Sequence, residues 1–243
     1  MEVQRPLRDF RELIEQEQFE EAEKLLVCKL EEAKEQEDWN AQLQFLNQQI
    51  DFYRLRNKKE LGEEAILNAI AIGKEKKEEK VLLYANTLVN AGKAVRDFGD
   101  AKRAVELYEE AYEIYKEQFH ENDYRFAGFY NHMGVACEEV GRFEEAEQCF
   151  NKAIVIMERL KRGEIELALT HMNLVFVYHQ AGKEEKMQFH LQKAKQYFDS
   201  DNVMRGGYYA HACITCAEKL EKIGYQKEAE WLKEHARRVY ERD

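Results

Sequence analysis

Apolar and small residues recur along this chain in blocks with helical spacing, not in the alternation of a strand. In GDAKRAVELYEEA from Gly99, GRFEEAEQCFNKA from Gly141, GKEEKMQFHLQKA from Gly182 and GYQKEAEWLKEHA from Gly224, they fall five, nine and twelve positions after the glycine. The sets are Ala104, Tyr108 and Ala111; Ala146, Phe150 and Ala153; Met187, Leu191 and Ala194; and Ala229 and Ala236, with Lys233 between them. The glycines stand 42, 41 and 42 residues apart. The frame extends backwards to Asn57, followed by Gly62, Ile66 and Ala69, and to Glu17, where EQFEEAEKLL echoes GRFEEAEQCF. Six units therefore account for nearly the whole chain.

Each turn is preceded by a second periodic block, at eleven, eight, seven and four positions before it. Its members are Leu88, Ala91, Gly92 and Val95; Tyr130, Met133, Gly134 and Cys137; His171, Leu174, Val175 and Tyr178; and Cys213, Cys216, Ala217 and Leu220. The pattern predicts paired helices buried on these faces. The small residue seven before the turn (Gly92, Gly134, Ala217) predicts close helix approach. The turn glycine supplies the left-handed backbone that ends a first helix, and Asp100 and Asn57 are expected to cap the second.

The large–small pair before the turn, the turn glycine and the later alanine–aromatic–alanine series resemble the tetratricopeptide repeat family. The usual period is 34 residues; a period near 42 adds about one turn to each helix. Long repeats of this kind are similar to those of kinesin light chains and bacterial peptide-sensing regulators. The resemblance implies an all-α fold, a right-handed α-α superhelix of about six helical hairpins. It is expected to be one solenoid domain over 1–243, with repeats near 3–42, 43–84, 85–126, 127–167, 168–209 and 210–243. The family's proline at the end of the second helix is absent, consistent with helices that run on, as in AVELYEEAYEIYKEQF.

Stacked hairpins bury a continuous core and leave a concave side lined by first helices. In the family, residues ten, six and three before each turn contact ligands. Here that stripe holds Asn47, Asp51 and Arg54; Val89, Lys93 and Arg96; Asn131, Val135 and Glu138; Met172, Phe176 and His179; and Ile214, Glu218 and Glu221. Asn90 and Asn173 adjoin it. An asparagine amide donates and accepts at once, which suits gripping an extended peptide backbone and equally suits bridging two helices. The candidate groove is therefore Asn47, Arg54, Asn90, Lys93, Arg96, Asn131, Asn173, Phe176 and His179. Its polarity is basic at Arg54, Lys93 and Arg96, apolar at Met172 and Phe176, and acidic at Glu138, Glu218 and Glu221. A partner carrying acidic, apolar and basic parts in sequence would match it; solvated charge on a highly charged surface is the plainer account. The lysine–arginine–asparagine clamp of chaperone-tail adaptors does not fit, because Gly128 and His132 stand where two cations belong.

Composition narrows the function further. A formal charge of −11, from 37 Lys+Arg against 48 Asp+Glu, argues against nucleic acid as a partner. No apolar run approaches a membrane span, and the N-terminus lacks an apolar signal core, so the expected place is the cytoplasm with no membrane partner. Five cysteines, an odd number, suit a reducing compartment. Ser200, Thr87, Thr170 and Thr215 are the only aliphatic hydroxyls, leaving little material for a serine-type nucleophile. Cys213-Ile-Thr-Cys216 has redox or half-zinc spacing, but it lies mid-helix on packing positions with no second pair to complete a zinc set. NAGKAV lacks the remainder of a phosphate-binding loop. No catalytic residues, metal or cofactor are expected. Protein or peptide binding by a scaffold or adaptor is the first reading; a peptide-sensing module acting on a separate effector is the alternative. Trp231 and Val239 of the C-terminal helix are a further candidate contact with a second copy, and Gly206-Gly207 a flexible joint.

Overall fold

The structure, a computed structural model, describes residues 1–160 and 163–241. Among these, twelve α-helices and no strand are present, an all-α repeat of helical hairpins. They divide into two compact units, 1–120 and 121–243, whose final residues 242 and 243 lie outside the described set.

Unit 1 contains α1 (Gln4–Glu15), α2 (Phe19–Glu35), α3 (Trp39–Leu55), α4 (Lys59–Glu75), α5 (Val81–Asp97) and α6 (Ala101–Gln118). Each odd-numbered helix pairs with the even-numbered one after it. The hairpins then stack through α2 on α3, α4 on α5 and α3 on α5. Unit 2 repeats the plan with α7 (Arg125–Glu139), α8 (Phe143–Leu160), α9 (Glu164–Gln180), α10 (Glu184–Asp199), α11 (Gly207–Lys222) and α12 (Gln226–Tyr240). There α9 is central, touching α7, α8, α10 and α11. Helices of 15 to 18 residues from α2 onwards account for the long period. The helix pairs start at 39, 81, 125, 164 and 207, two to four residues ahead of the repeat starts set from the turns.

All six turn positions take positive φ: Glu17 58°, Asn57 52°, Gly99 95°, Gly141 81°, Gly182 66° and Gly224 87°. The backbone therefore reverses in the same way whether or not glycine is present, and the first two turns carry the strain of a side chain in the left-handed region. Asp100 caps α6, its carboxylate accepting from the Arg103 N–H at 3.0 Å. Asn57 does not cap α4. It lies one residue too early, as the left-handed residue itself, and Lys58 takes the N-cap position without a side-chain bond. Asp38, not singled out by the repeat pattern, caps α3 through the Ala41 N–H at 3.0 Å.

Inside the α5–α6 and α7–α8 hairpins the small position is a notch for the ring nine residues beyond the turn. A Cβ at Gly92 would come within 2.7 Å of the Tyr108 ring, and one at Gly134 within 2.7 Å of Phe150. Both rings are completely buried, each contributing about 1.5–3 kcal/mol by leaving water. In the α9–α10 hairpin the corresponding positions are Val175 and Leu191, both buried. Every predicted first-helix core position from Leu88 to Leu220 is buried except Met133, which is half-buried. Cys213 and Cys216 are part of this packing. Burial pushes both thiols up to about 12, so neither is a ready thiolate. Gly206, extended at φ −113°, immediately precedes α11.

Candidate functional site

In unit 1, α3 and α5 lie side by side and their stripe residues meet. Asn47 is buried, 7% exposed, and its amide is fully engaged. It donates to Leu43 O and to Thr87 Oγ1, each at 2.8 Å, and its Oδ1 accepts from Asn90 Nδ2 at 3.0 Å. Asn47 is therefore a bridge between helices and offers nothing to a ligand, which corrects its place in the groove expected from sequence. The reason is that the ten-before position faces the neighbouring first helix. Unit 2 repeats the device, with Thr170 Oγ1 donating to Asn131 Oδ1 at 2.8 Å. Thr87 and Thr170 each lie twelve before their turns, so the repeat register did carry the signal for this pairing.

Arg54 holds two carboxylates, Asp51 at 2.6 Å and Asp97, across on α5, at 2.9 Å. Arg96 pairs with Asp97 at 2.6 Å. Burial alone would raise the Asp97 carboxyl, but hydrogen bonds from Arg96 and Arg54 hold it below the usual range. The basic end expected from Arg54, Lys93 and Arg96 thus includes its own counter-charges. Lys93 is half-buried, and burial lowers its ammonium below the ordinary lysine value.

In unit 2 the stripe is more covered than the sequence suggested. Phe176 is 5% exposed and Met172 1%. They are not an open apolar surface, because α9 is enclosed by four helices and Lys219 Nζ lies 5.1 Å above the Phe176 ring. Glu138, half-buried, accepts from Gln180 Nε2 at 2.7 Å, and burial raises its carboxyl. Glu221 is bound by Lys233 at 2.6 Å. His179 is exposed and meets the Tyr225 ring edge-on at 6.4 Å. Asn173 is half-buried beside it on α9. Sequence reasoning missed Asp97, Gln180 and Lys219, whose roles depend on which neighbour they reach.

Val239 is buried, and the half-buried Trp231 ring lies 4.4 Å from that of His235, tilted by 48°. Both take part in the packing of unit 2. Among the described residues no cluster of three or more His, Cys, Asp or Glu is placed to hold a metal. No helix among them is long and apolar enough to cross a membrane.

Paired helices with ring-filled notches, stacked first helix on first helix, define a helical-hairpin repeat protein whose polar first-helix faces are its distinctive surface. Models described as tetratricopeptide repeat match residues 85–117 and 127–156, so these two segments are tetratricopeptide repeats. Its fold is similar to that of apo RapI (16% identity, TM-score 0.69, covering 100% of both chains). It is also similar to BtubC from P. vanneervenii (19%, TM-score 0.64, 88% of each chain). A third similar structure is NprR in complex with its cognate peptide NprX (18%, TM-score 0.63, 95% of this chain and 65% of that one). At these identities the likeness is one of fold. No curated protein matches the chain in sequence.

Proposed function

We propose that the chain is a binding protein for polypeptide segments, a scaffold or adaptor that engages a guest on the first-helix faces of its units. One observation carries this reading. Stripe residues touch the adjacent first helix, as Arg54 reaches Asp97, Glu138 meets Gln180 and Phe176 lies under Lys219. Each unit thereby presents a continuous lateral band of amides and charges, the chemistry that meets a peptide backbone and its side chains. Asn90, Lys93, Asn173, His179 and Glu218 are half-buried or exposed residues on or beside it. No step of catalysis belongs to this reading.

The alternative, a peptide-sensing module that acts on a separate effector, takes support from the similar fold of NprR, which was crystallised with its cognate peptide.

A random peptide library panned against the immobilised chain tests the reading. The expected result is selected peptides that raise thermal stability, by about 2.7 kcal/mol at a hundredfold excess over Kd, and protect first-helix amides of α3, α5, α9 or α11 from exchange. Protection confined to the second helices, or no selected peptide, overturns it. Large folded partners in a pull-down favour scaffolding, and short peptides favour sensing.

A further inference from the structure

In unit 2 the last hairpin, α11 and α12, is joined to α10 by residues 200–206, a longer connection than the 36–38 between α2 and α3. Among the described residues α11 packs on α9 and its backbone does not come beside α10, whereas α3 lies on α2, α5 on α4 and α9 on α8. Side chains span the difference. Phe198 meets the Tyr209 and Trp231 rings edge-on, and a cavity of about 240 Å³ is lined by Asp199, Arg205, His235, Arg238 and Val239. All but Arg205 come from the second helices α10 and α12, so the cavity is separate from the first-helix bands.

The cavity has two guanidiniums and one carboxylate in its lining, in a chain whose formal charge is −11. Arg205 Nη2 donates to Asp199 O and Ser200 O, each at 3.2 Å, which ties that guanidinium to the end of α10. Arg238 Nε is bonded to Glu234 at 3.2 Å, a carboxylate shared with Arg237, and the Arg238 Nη groups form no bond among the described residues. His235 has Nδ1 at 2.6 Å from the buried Tyr209 hydroxyl and Nε2 at 3.4 Å from Asp199 Oδ1. A lone pair on Nε2 would repel that carboxylate, so the neutral ring carries its proton on Nε2 and accepts from Tyr209 at Nδ1. Burial lowers the imidazole; Asp199 opposes the shift, Arg238 and Arg205 reinforce it, and Glu234 opposes it. Both guanidiniums therefore act on the ring. Asp199 is exposed, and 3.4 Å is longer than a charge-assisted hydrogen bond, so a dianion can displace it. Arginine forks beside a fixed N–H suit a tetrahedral oxyanion. We propose that Arg205, His235 and Arg238 form a binding site for a phosphoryl group, carried by free phosphate or by a phosphorylated serine side chain.

The test follows the His235 imidazole by NMR in the full chain, its signal assigned by loss in His235→Asn. Inorganic phosphate, acetyl-Ala-phosphoserine-Ala-amide, acetate and chloride are titrated at equal ionic strength. The expected result is a saturable movement of the signal with a phosphate probe. The titration midpoint of the ring should rise by about half a unit or more, because a nearby anion favours the protonated form. Acetate and chloride should do neither. The tighter of the two phosphate probes identifies free phosphate or phosphoserine as the source. Equal responses to phosphate and acetate, or no saturable response to either phosphate probe, overturn the proposal.

A second measurement separates binding from a structural role. Trp39→Phe leaves Trp231, whose ring lies 4.4 Å from that of His235, as the one indole, and its fluorescence reports the site. In that background Arg238→Gln is expected to weaken phosphate about tenfold. Asp199→Asn removes the competing carboxylate and is expected to tighten phosphate about threefold, an effect that a purely structural Asp199 would not produce. Phosphate affinity unchanged in both variants overturns the site. The peptide library addresses the first-helix bands alone, so its outcome and this one are read separately.

Discussion

Gly128 and Gly134 share helix α7 and differ in what lies beyond their α-carbons. A Cβ at Gly128 meets nothing within 4 Å, and one at Gly134 meets the buried Phe150 ring. Gly134→Ala should therefore destabilise the protein by about 1–3 kcal/mol through overpacking. Gly128→Ala should be neutral or stabilising by up to ~1 kcal/mol through helix propensity. Urea unfolding of the two variants checks the pair, and equal shifts in midpoint would refute the notch. Asp100→Ala should lower stability by about 1 kcal/mol in the same assay, because it removes the bond to the Arg103 N–H.

Among the elements, the α9–α10 hairpin contains a pair of buried histidines. His171 and His190 share an Nδ1–Nδ1 hydrogen bond of 2.8 Å. His171 stacks on Tyr197, and His190 stacks on Tyr178. The Nε2 of His171 has no partner among the described residues. Burial lowers both imidazoles, His190 to about 4, with Glu147 opposing the shift and Lys186 reinforcing it; beside His171, Lys193 adds to the lowering. The folded state thus takes up protons less readily than the unfolded chain. The dyad's contribution is fully present above the ordinary imidazole value near ~6.5 and is lost as pH falls from there towards about 4. The slope is about 1.4 kcal/mol per pH unit for each proton. Stabilities at pH 7.5 and 5.0 should converge in His171→Leu/His190→Leu relative to the parent; an identical difference between the two proteins at both pH values would refute a neutral buried pair.

The hairpins themselves were legible because turn position and helix period are local properties of the sequence. The six left-handed turns, and the rings of Tyr108 and Phe150, fell where spacing put them. The site was less legible because it depends on neighbours. Asn47 and Phe176 sit on the expected stripe, yet packing against an adjacent first helix turned one into a bridge and covered the other. Asn57 shows the same limit at one-residue resolution: its amide suits a cap and a left-handed turn equally well, and only the backbone decides between them.

At the scale of the whole molecule, each unit has three hairpins, about the smallest number of repeats that stabilises such a stack. Each encloses its own core, with Phe45, Ile66 and Tyr108 fully buried in one and Phe126, Phe150 and Tyr209 in the other. Residues 1–120 and 121–243 expressed separately should each show helical circular dichroism and a cooperative melt. A fragment that melts without cooperativity would show that its core is incomplete alone.

The notch and its ring have a consequence for how such a chain changes over time. Tyr108 answers Gly92 and Phe150 answers Gly134, each within one hairpin. Exchanging one partner alone leaves a clash or a hole, whereas copying a hairpin entire transfers both halves of the match. Duplication and recombination of whole hairpins therefore meet less resistance than piecemeal substitution at these positions, and the outward side chains are left to diverge from one copy to the next.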